Sequence, residues 1–403
     1  MAMTSLADAL STLLAQVDST PVTEWVSLEA ASGRYAAEAP HAALSVPPAD
    51  NSAVDGYAVR VQDLPAVLAI SQRIPAGTAP IALEPGTAAR IFTGAEIPEG
   101  ADAVVLQEDT EQVDEGVRLP GARAGQHIRA RGVDIQAGQQ LVAAGRCLQP
   151  QDIGLLASVG LDAIRVFQPL TIAILTTGDE LREPGTGDLA PGEIYNSNRF
   201  SLAAQIRALG MNVLDIGNLP DQPERIGDAL ERAAAVADCV ITVGGVSVGE
   251  EDHVRGQIAS RGTLNLWKLA IKPGKPLAFG EVRGTPVFGL PGNPVSSWIT
   301  FALVVKPWLI KRQGGVVSAA PRFAVRSGFE LNRPCTREEF LRVSLAGSGM
   351  TMRVTLTGSQ SSGVLSSLSE ADGVAVIAPG QTVSEGDWLD IVPISALLSP
   401  EVA

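Results

Sequence analysis

The chain has 403 residues, of which 45% are hydrophobic and 18% charged, enough apolar matter for several cores and too much for wholesale disorder. Against 44 acidic side chains stand 30 basic ones, a net charge of −14, which disfavours a general nucleic-acid binder and obliges any anionic ligand to find a local cationic patch or a metal ion. The three cysteines, Cys147, Cys239 and Cys335, and the three histidines, His41, His127 and His253, are scattered, which argues against a disulfide framework and offers no zinc-ligand spacing.

The N-terminus, "MAMTSLADALSTLLAQV", has no basic leader and reads as an amphipathic helix over 4–17. A second helix is expected over 149–158, with Pro150 at its start and Gly160 just past its end. Between them, from Val46 to Ala143, Gly and Pro are frequent and the apolar runs "AVLAI", "AARIF", "DAVVLQ" and "QQLVAA" are short and β-like. The expected organisation is a helical or extended linker domain, 1–46 plus 144–169, that carries an inserted β-rich domain, 47–143.

From Leu170 the texture alternates between strand and helix. "LTIAILTTG", "NVLDIG", "CVITV", "LNLWKLAI", "PLAFGEV" and "TPVFGL" read as strands; "RFSLAAQIRALG", "PERIGDALERAAAVAD" and "PVSSWITFALVVKPWLI" read as helices. Such alternation implies a three-layer α/β domain, 170–317, with a mostly parallel sheet covered on both faces. After it, "RFAVRSGFEL", "EEFLRVSLAG", "MTMRVTLTG", "GVAVIAPG" and "DWLDIVPI" predict a small barrel or sandwich over 318–403. The most apolar run, "WITFALVV", is too short to span a bilayer, so a soluble cytoplasmic protein with no membrane partner is expected.

Three loops follow strands of the α/β domain, and each carries an acid: Glu180 in "TTGDEL", Asp221 in "GNLPDQPE" and Asp252 in "GGVSVGEED". Taken singly, each is a helix N-cap or first-turn acid. Together they should meet at the carboxyl edge of the sheet. There the backbone of Thr177, Gly178, Gly244, Gly245, Ser247 and Gly249 would admit an anion. Carboxylates would repel that anion unless a divalent ion lay between, and Mg²⁺ suits an oxygen-only site shared with phosphate. In "WKLAIKPGKPLAF", Lys268, Lys272 and Lys275 crowd a Pro-Gly turn with no acid in the stretch. This is either a solvated hairpin or the patch an anion needs. "FGLPGNPVSSW" places Pro291, Asn293 and Pro294 at a helix start, read as a second anion cradle or simply a well-capped helix. On the inserted domain, Asp55 lies in "PPADNSAVDGYAVR", explicable as turn chemistry, and Asp134 lies among arginines in "RARGVDIQAG", explicable as an ion pair.

The segments "DNSAVDGYAVR", "TTGDEL", "GEIYNSNR", "TVGGVSVGEEDHV", "KLAIKPGKP" and "GLPGNPVSS" together resemble the MoeA-type molybdopterin molybdenumtransferases, the molybdenum insertases related to the E domain of gephyrin. Val54 stands where Met is commoner in the family's "SAMDGYA". The resemblance implies an elongated four-domain subunit in a homodimer, with a cleft shared between the α/β domain of one subunit and the inserted domain of the other. It implies Mg²⁺-dependent cleavage of adenylylated molybdopterin, release of AMP and capture of molybdenum from molybdate. By position it gives functional roles to the acids Glu180, Asp221, Asp252, Asp55 and Asp134. It also gives roles to the lysines 268, 272 and 275, to Pro291 and Pro294, and, in the C-terminal domain, to Arg337 and Ser362. Glu180, Asp221 and Asp252 would hold or orient the metal. The molybdopterin adenylyltransferase and apo-molybdoenzymes become expected protein partners. Two alternatives stay open: the adenylyltransferase reaction itself, and a non-catalytic pterin-binding scaffold.

Overall fold

The computed structural model describes residues 3–17, 21–245 and 253–400. The first helix is Leu6–Ala15, capped by the Ser5 hydroxyl, which accepts from the Asp8 amide at 3.1 Å. Its buried residues Ala9 and Leu13 join the core of the α/β unit with Phe301 and Leu309. Just before it, the Thr4 amide donates to the Lys268 carbonyl at 2.9 Å and the Ala270 amide donates to the Thr4 carbonyl at 2.7 Å. The N-terminal segment therefore anchors the base of the "KPGKP" loop.

The ribbon Thr23–Ser27 and Ala163–Phe167 pairs antiparallel beside the helix Pro150–Ser158. That helix starts as predicted, with Pro150 in its first turn and a capping box between Gln149 and Asp152. The inserted segment forms a six-stranded sheet in the order Ala103–Leu106, Gly56–Val59, Thr87–Ile91, Ala66–Ile74, Gly116–Leu119, Glu111–Val113. Two expectations change here. "QQLVAA" makes no strand; Gln140 only bridges His41, while Val142 fills the core near the Pro150–Ser158 helix. Conversely, Gly56–Val59, inside a stretch explicable by turns, is a wholly buried strand. A Cβ on Gly56 would sit 2.0 Å from the Val105 carbonyl oxygen, so only glycine lets these strands approach.

The α/β unit has strands β1 (Thr171–Thr177), β2 (Asn212–Leu219), β3 (Cys239–Val243), β4 (Gly262–Lys268), β5 (Pro276–Val282) and β6 (Thr285–Leu290). The sheet order is β2-β1-β3-β6-β5-β4. Pairings are parallel from β2 to β6, and β5 alone runs against its neighbours. Side chains alternate across the sheet: Ile172 and Ile174 face one core, Ala173 and Leu175 the other. The helix Ser197–Ala208 and the closing helical run cover the first face. The helices Pro223–Ala234 and His253–Arg261 cover the second. Burial on both faces explains why these strands read as unbroken apolar runs. The closing run is Pro294–Thr300, one π-helical turn at Phe301–Val305, then Lys306–Arg312. Pro307 lacks the amide that a regular α-helix would bond back to residue 303, and the wider turn precedes it.

The C-terminal strands are β7 (Phe323–Ser327), β8 (Glu338–Ala346), β9 (Arg353–Leu356), β10 (Gly373–Ile377) and β11 (Trp388–Pro393). The order β8-β9-β7-β11-β10 closes on itself because β10 also pairs with β8. This is a closed five-stranded barrel, which removes exposed strand edges. Among the described residues no helix is long and apolar enough to cross a membrane.

Candidate active site at the carboxyl edge of the parallel sheet

The connection after β1 leads to β2 on one side, and the connection after β3 leads to the opposite side. Strands β1 and β3 thus flank a switch point, where open α/β sheets leave a crevice. A cavity of about 810 Å³ opens there. β1 delivers Thr177, Gly178 and Glu180; β2 delivers Asp221; β3 delivers Gly244 and Gly245; β6 delivers Pro291 and Asn293. Because β4 runs parallel to β6 and β5 returns, the turn between them lies on the same edge and adds Lys272 and Lys275. The barrel closes the far wall with Arg337 and Ser362.

The remaining predicted residues lie elsewhere. Lys268 stays inside β4, paired with Pro276. Pro294 lines an adjoining cavity of about 640 Å³ that shares Thr177, Glu180, Gly244, Gly292 and Asn293 with the first. Asp55 and Asp134 sit on the inserted unit and line neither cavity. Ser247, Gly249 and Asp252 fall outside the described residues.

Two readings of the site are corrected by contacts that cross domains. The "KPGKP" lysines looked uncompensated, yet Lys272 Nζ lies 2.6 Å from the carboxylate of buried Glu339. The segment Ile271–Lys272 pairs parallel with Glu338–Glu339 at the start of β8, which brings that acid in. Arg337 donates to the Ile271 carbonyl at 3.0 Å, fixing the same corner. The helix after β6 likewise does not present a free cradle: its Val295 amide donates to the Ser362 carbonyl at 3.0 Å, and Asn293 makes no side-chain cap.

The electrostatics are mixed. Lys272, Lys275 and Arg337 bring positive charge to one wall, Glu180 and Asp221 negative charge to the other. Burial, together with the charges of Asp179 and Glu180, holds the Asp221 carboxyl above its ordinary range, and His253 offsets this in part. The Asp221 amide donates to the Asp179 carboxylate at 3.1 Å. Asp55 is different: it accepts from the Thr93 amide and hydroxyl, each at 2.8 Å, and these bonds hold its carboxyl below the usual range. Asp134 is exposed and takes no ion pair among the described residues; the acid bonded at that corner is Asp50, which accepts from the Arg131 amide at 2.7 Å.

Ser296, a first-turn donor in the sequence reading of "FGLPGNPVSSW", does line the cavity, whereas sequence reasoning missed Gly274, Gln360 and Ser361. The polar cluster "GSQSSG" between β9 and β10 was the available signal for two of them. It also missed Asn196, buried, whose amide donates to Thr176 Oγ1 at 2.8 Å behind the adjoining cavity.

The unit that builds this site is an α/β ligand-binding domain set between an inserted β unit and a barrel. Residues 173–311 match a family described as a probable molybdopterin binding domain. Residues 4–160 match the MoeA N-terminal region (domain I and II), and residues 324–394 the MoeA C-terminal region (domain IV). The molybdopterin molybdenumtransferase of Haemophilus influenzae is 37% identical over 98% of this chain and 100% of its own. That of a Nostoc species is 38% identical over 94% of this chain and 91% of its own. A crystal structure of a molybdopterin biosynthesis MoeA protein from Pyrococcus horikoshii superposes with a TM-score of 0.82, at 28% identity and covering 97% of this chain and 100% of that one. The chain belongs to the MoeA family of molybdopterin molybdenumtransferases.

Proposed function

We propose that the 810 Å³ cavity is where molybdenum from molybdate is inserted into adenylylated molybdopterin, with loss of AMP. One observation carries this reading. A single crevice joins a cationic wall, Lys272, Lys275 and Arg337, to an acidic one, Glu180 and Asp221. A pyrophosphate and a dianionic oxometalate repel each other, so the site that unites them must offset both charges. Lys275, Arg337 and the Ser362 hydroxyl would hold the tetrahedral oxyanion. Lys272, shared with Glu339 at 2.6 Å, would be released to phosphate when substrate arrives. The adjoining cavity, with the exposed faces of Ile194 and Tyr195, would take the flat pterin.

The acidic wall suits a magnesium ion. Among the described residues no cysteine or histidine lines the cavity, the acidic wall offers carboxylate oxygens, and Asp221 is a carboxyl that burial and its acidic neighbours penalise. Among the described residues no three acids, histidines or cysteines form a closed metal site. Glu180 and Asp221 would therefore share the ion with substrate oxygens and water, and Asp252 would be the third protein ligand. Bound there, Mg²⁺ would neutralise phosphate charge as the anhydride breaks. Asp55 and Asp134, away from the cavity of their own chain, would act on a partner's cavity in a cytoplasmic homodimer. The molybdopterin adenylyltransferase would supply the substrate and apo-molybdoenzymes would receive the product.

The purified protein is to be mixed with adenylylated molybdopterin and Mg²⁺, and AMP followed with and without molybdate. Molybdate-dependent AMP release, with activation of an apo-molybdoenzyme, is the expected result. Tight binding of the pterin with no AMP under either condition would sink the insertase reading in favour of a carrier.

A further inference from the structure

Arg342, in β8, is among the largest fully buried side chains, only 1% exposed. Among the described residues, every partner of its guanidinium is a neutral oxygen: Ser367 Oγ at 3.1 Å, the Ser359 carbonyl at 3.1 Å and the Ser361 carbonyl at 3.2 Å. Two of these belong to the loop that gives the cavity Gln360, Ser361 and Ser362. The same loop is clamped a second time. The Arg342 amide donates to Gln360 Oε1 at 2.9 Å, and Gln360 Nε2 donates to the Arg342 carbonyl at 3.1 Å and the Thr357 carbonyl at 2.9 Å. At its end, the Ser362 carbonyl accepts from the Val295 amide, tying barrel to α/β unit.

The neutral clamp through Gln360 would be enough to shape the loop. A buried guanidinium with no counter-ion among the described residues is a costly addition to it. We infer that Arg342 is a positioning residue for the oxyanion: its fork sets the Ser359–Ser362 wall, and its charge, which meets no carboxylate among the described residues, is balanced by the tetrahedral anion bound in front of that wall. The inference rests on the proposed oxyanion site at Lys275, Arg337 and Ser362. It predicts that affinity for the anion depends on a side chain that never touches it. Low dielectric between them favours the coupling, because a buried charge is screened far less than a surface one.

The test uses the full chain and molybdate alone as probe, with affinity by titration calorimetry at fixed ionic strength and the thermal midpoint of the same samples. Arg342→Met is expected to weaken molybdate binding about tenfold, through loss of a nearby, poorly screened positive charge. Arg342→Lys keeps the charge but not the fork, and should recover part of that loss. Ser367→Ala removes the acceptor of Nε without touching the cavity and should weaken binding about twofold. Wild-type affinity in both Arg342 variants, with only the thermal midpoint lowered, would reduce Arg342 to a structural clamp and overturn the inference. If Arg342→Met does not fold, unchanged affinity in Ser367→Ala and Arg342→Lys overturns it equally. Lys275→Ala separates the two levels. If it binds molybdate normally, the oxyanion site itself is wrong. If it loses binding while the Arg342 variants keep theirs, only the Arg342 inference fails.

Discussion

At the scale of single residues, the site is a set of local conflicts that substrate would relieve. Asp221 is held partly protonation-prone by burial and by its neighbours Asp179 and Glu180. Such a carboxylate is retained for use rather than for stability. Asp221→Asn is therefore expected to lower turnover by about a hundredfold or more, while its thermal midpoint stays level or rises. A fall in both would make Asp221 structural. Gly178 is a second case. Its φ is +149°, and a Cβ there would lie 2.5 Å from Glu180 Oε2. Gly178→Ala should displace the Glu180 carboxylate, reducing turnover by about tenfold or more with a stability loss of only about 1–2 kcal/mol. Denaturant midpoints beside initial rates separate the two effects. Of these features, the acids and glycines were legible in the sequence, because turn glycines and strand-end acids are local signals. The raised Asp221 carboxyl was not, because it depends first on burial and then on Asp179 and Glu180 arriving from another strand.

At the scale of elements, what the sequence conveyed and what it withheld divide along the same line. The five strands of the barrel, the alternating α/β order and the Pro150 helix were readable because each is a local periodicity or cap. The strand Gly56–Val59 was hidden inside turn-like residues, since its need for glycine comes from Val105 on a neighbouring strand. The partner of Lys272 was equally hidden: Glu339 is 67 positions away in a different unit, brought in by a two-residue parallel pairing. That pairing makes the start of β8 a control element for the cationic turn. Removing the acid frees Lys272 for anions, so Glu339→Gln should tighten molybdate binding by about two- to fivefold. Its thermal midpoint should fall, because a buried partner of the pair has been lost. Lys272→Ala should do the reverse to affinity. Weaker molybdate binding in Glu339→Gln would mean that the carboxylate orients the lysine for the anion rather than competing for it.

At the scale of the whole molecule, the positions of Asp55 and Asp134 decide the argument. Both lie on the inserted unit, and neither lines a cavity of the α/β unit in its own chain. Asp55 is half-buried, and two bonds from Thr93 pre-set its carboxyl and hold it below the usual range, an arrangement suited to meeting something outside its own chain. If a second copy places its inserted unit over the cavity, each reaction centre draws on two chains. Asp55→Ala would then disable both centres of a homodimer, and so would Lys275→Ala, but the two defects would fall on different halves of a mixed dimer. In a mixed dimer, one centre combines the intact Lys275 of the first chain with the intact Asp55 of the second, and the other centre carries both lesions. Random exchange of subunits puts about half of the molecules in mixed dimers with one working centre of two. Co-refolding the two inactive variants should therefore restore about a quarter of wild-type AMP release, by this counting of cyclic dimers. Simple mixing without exchange should restore none. Activity that stays at the level of the separate variants after verified exchange would place all catalytic groups within one chain, and Asp55 would revert to a turn residue of the inserted sheet.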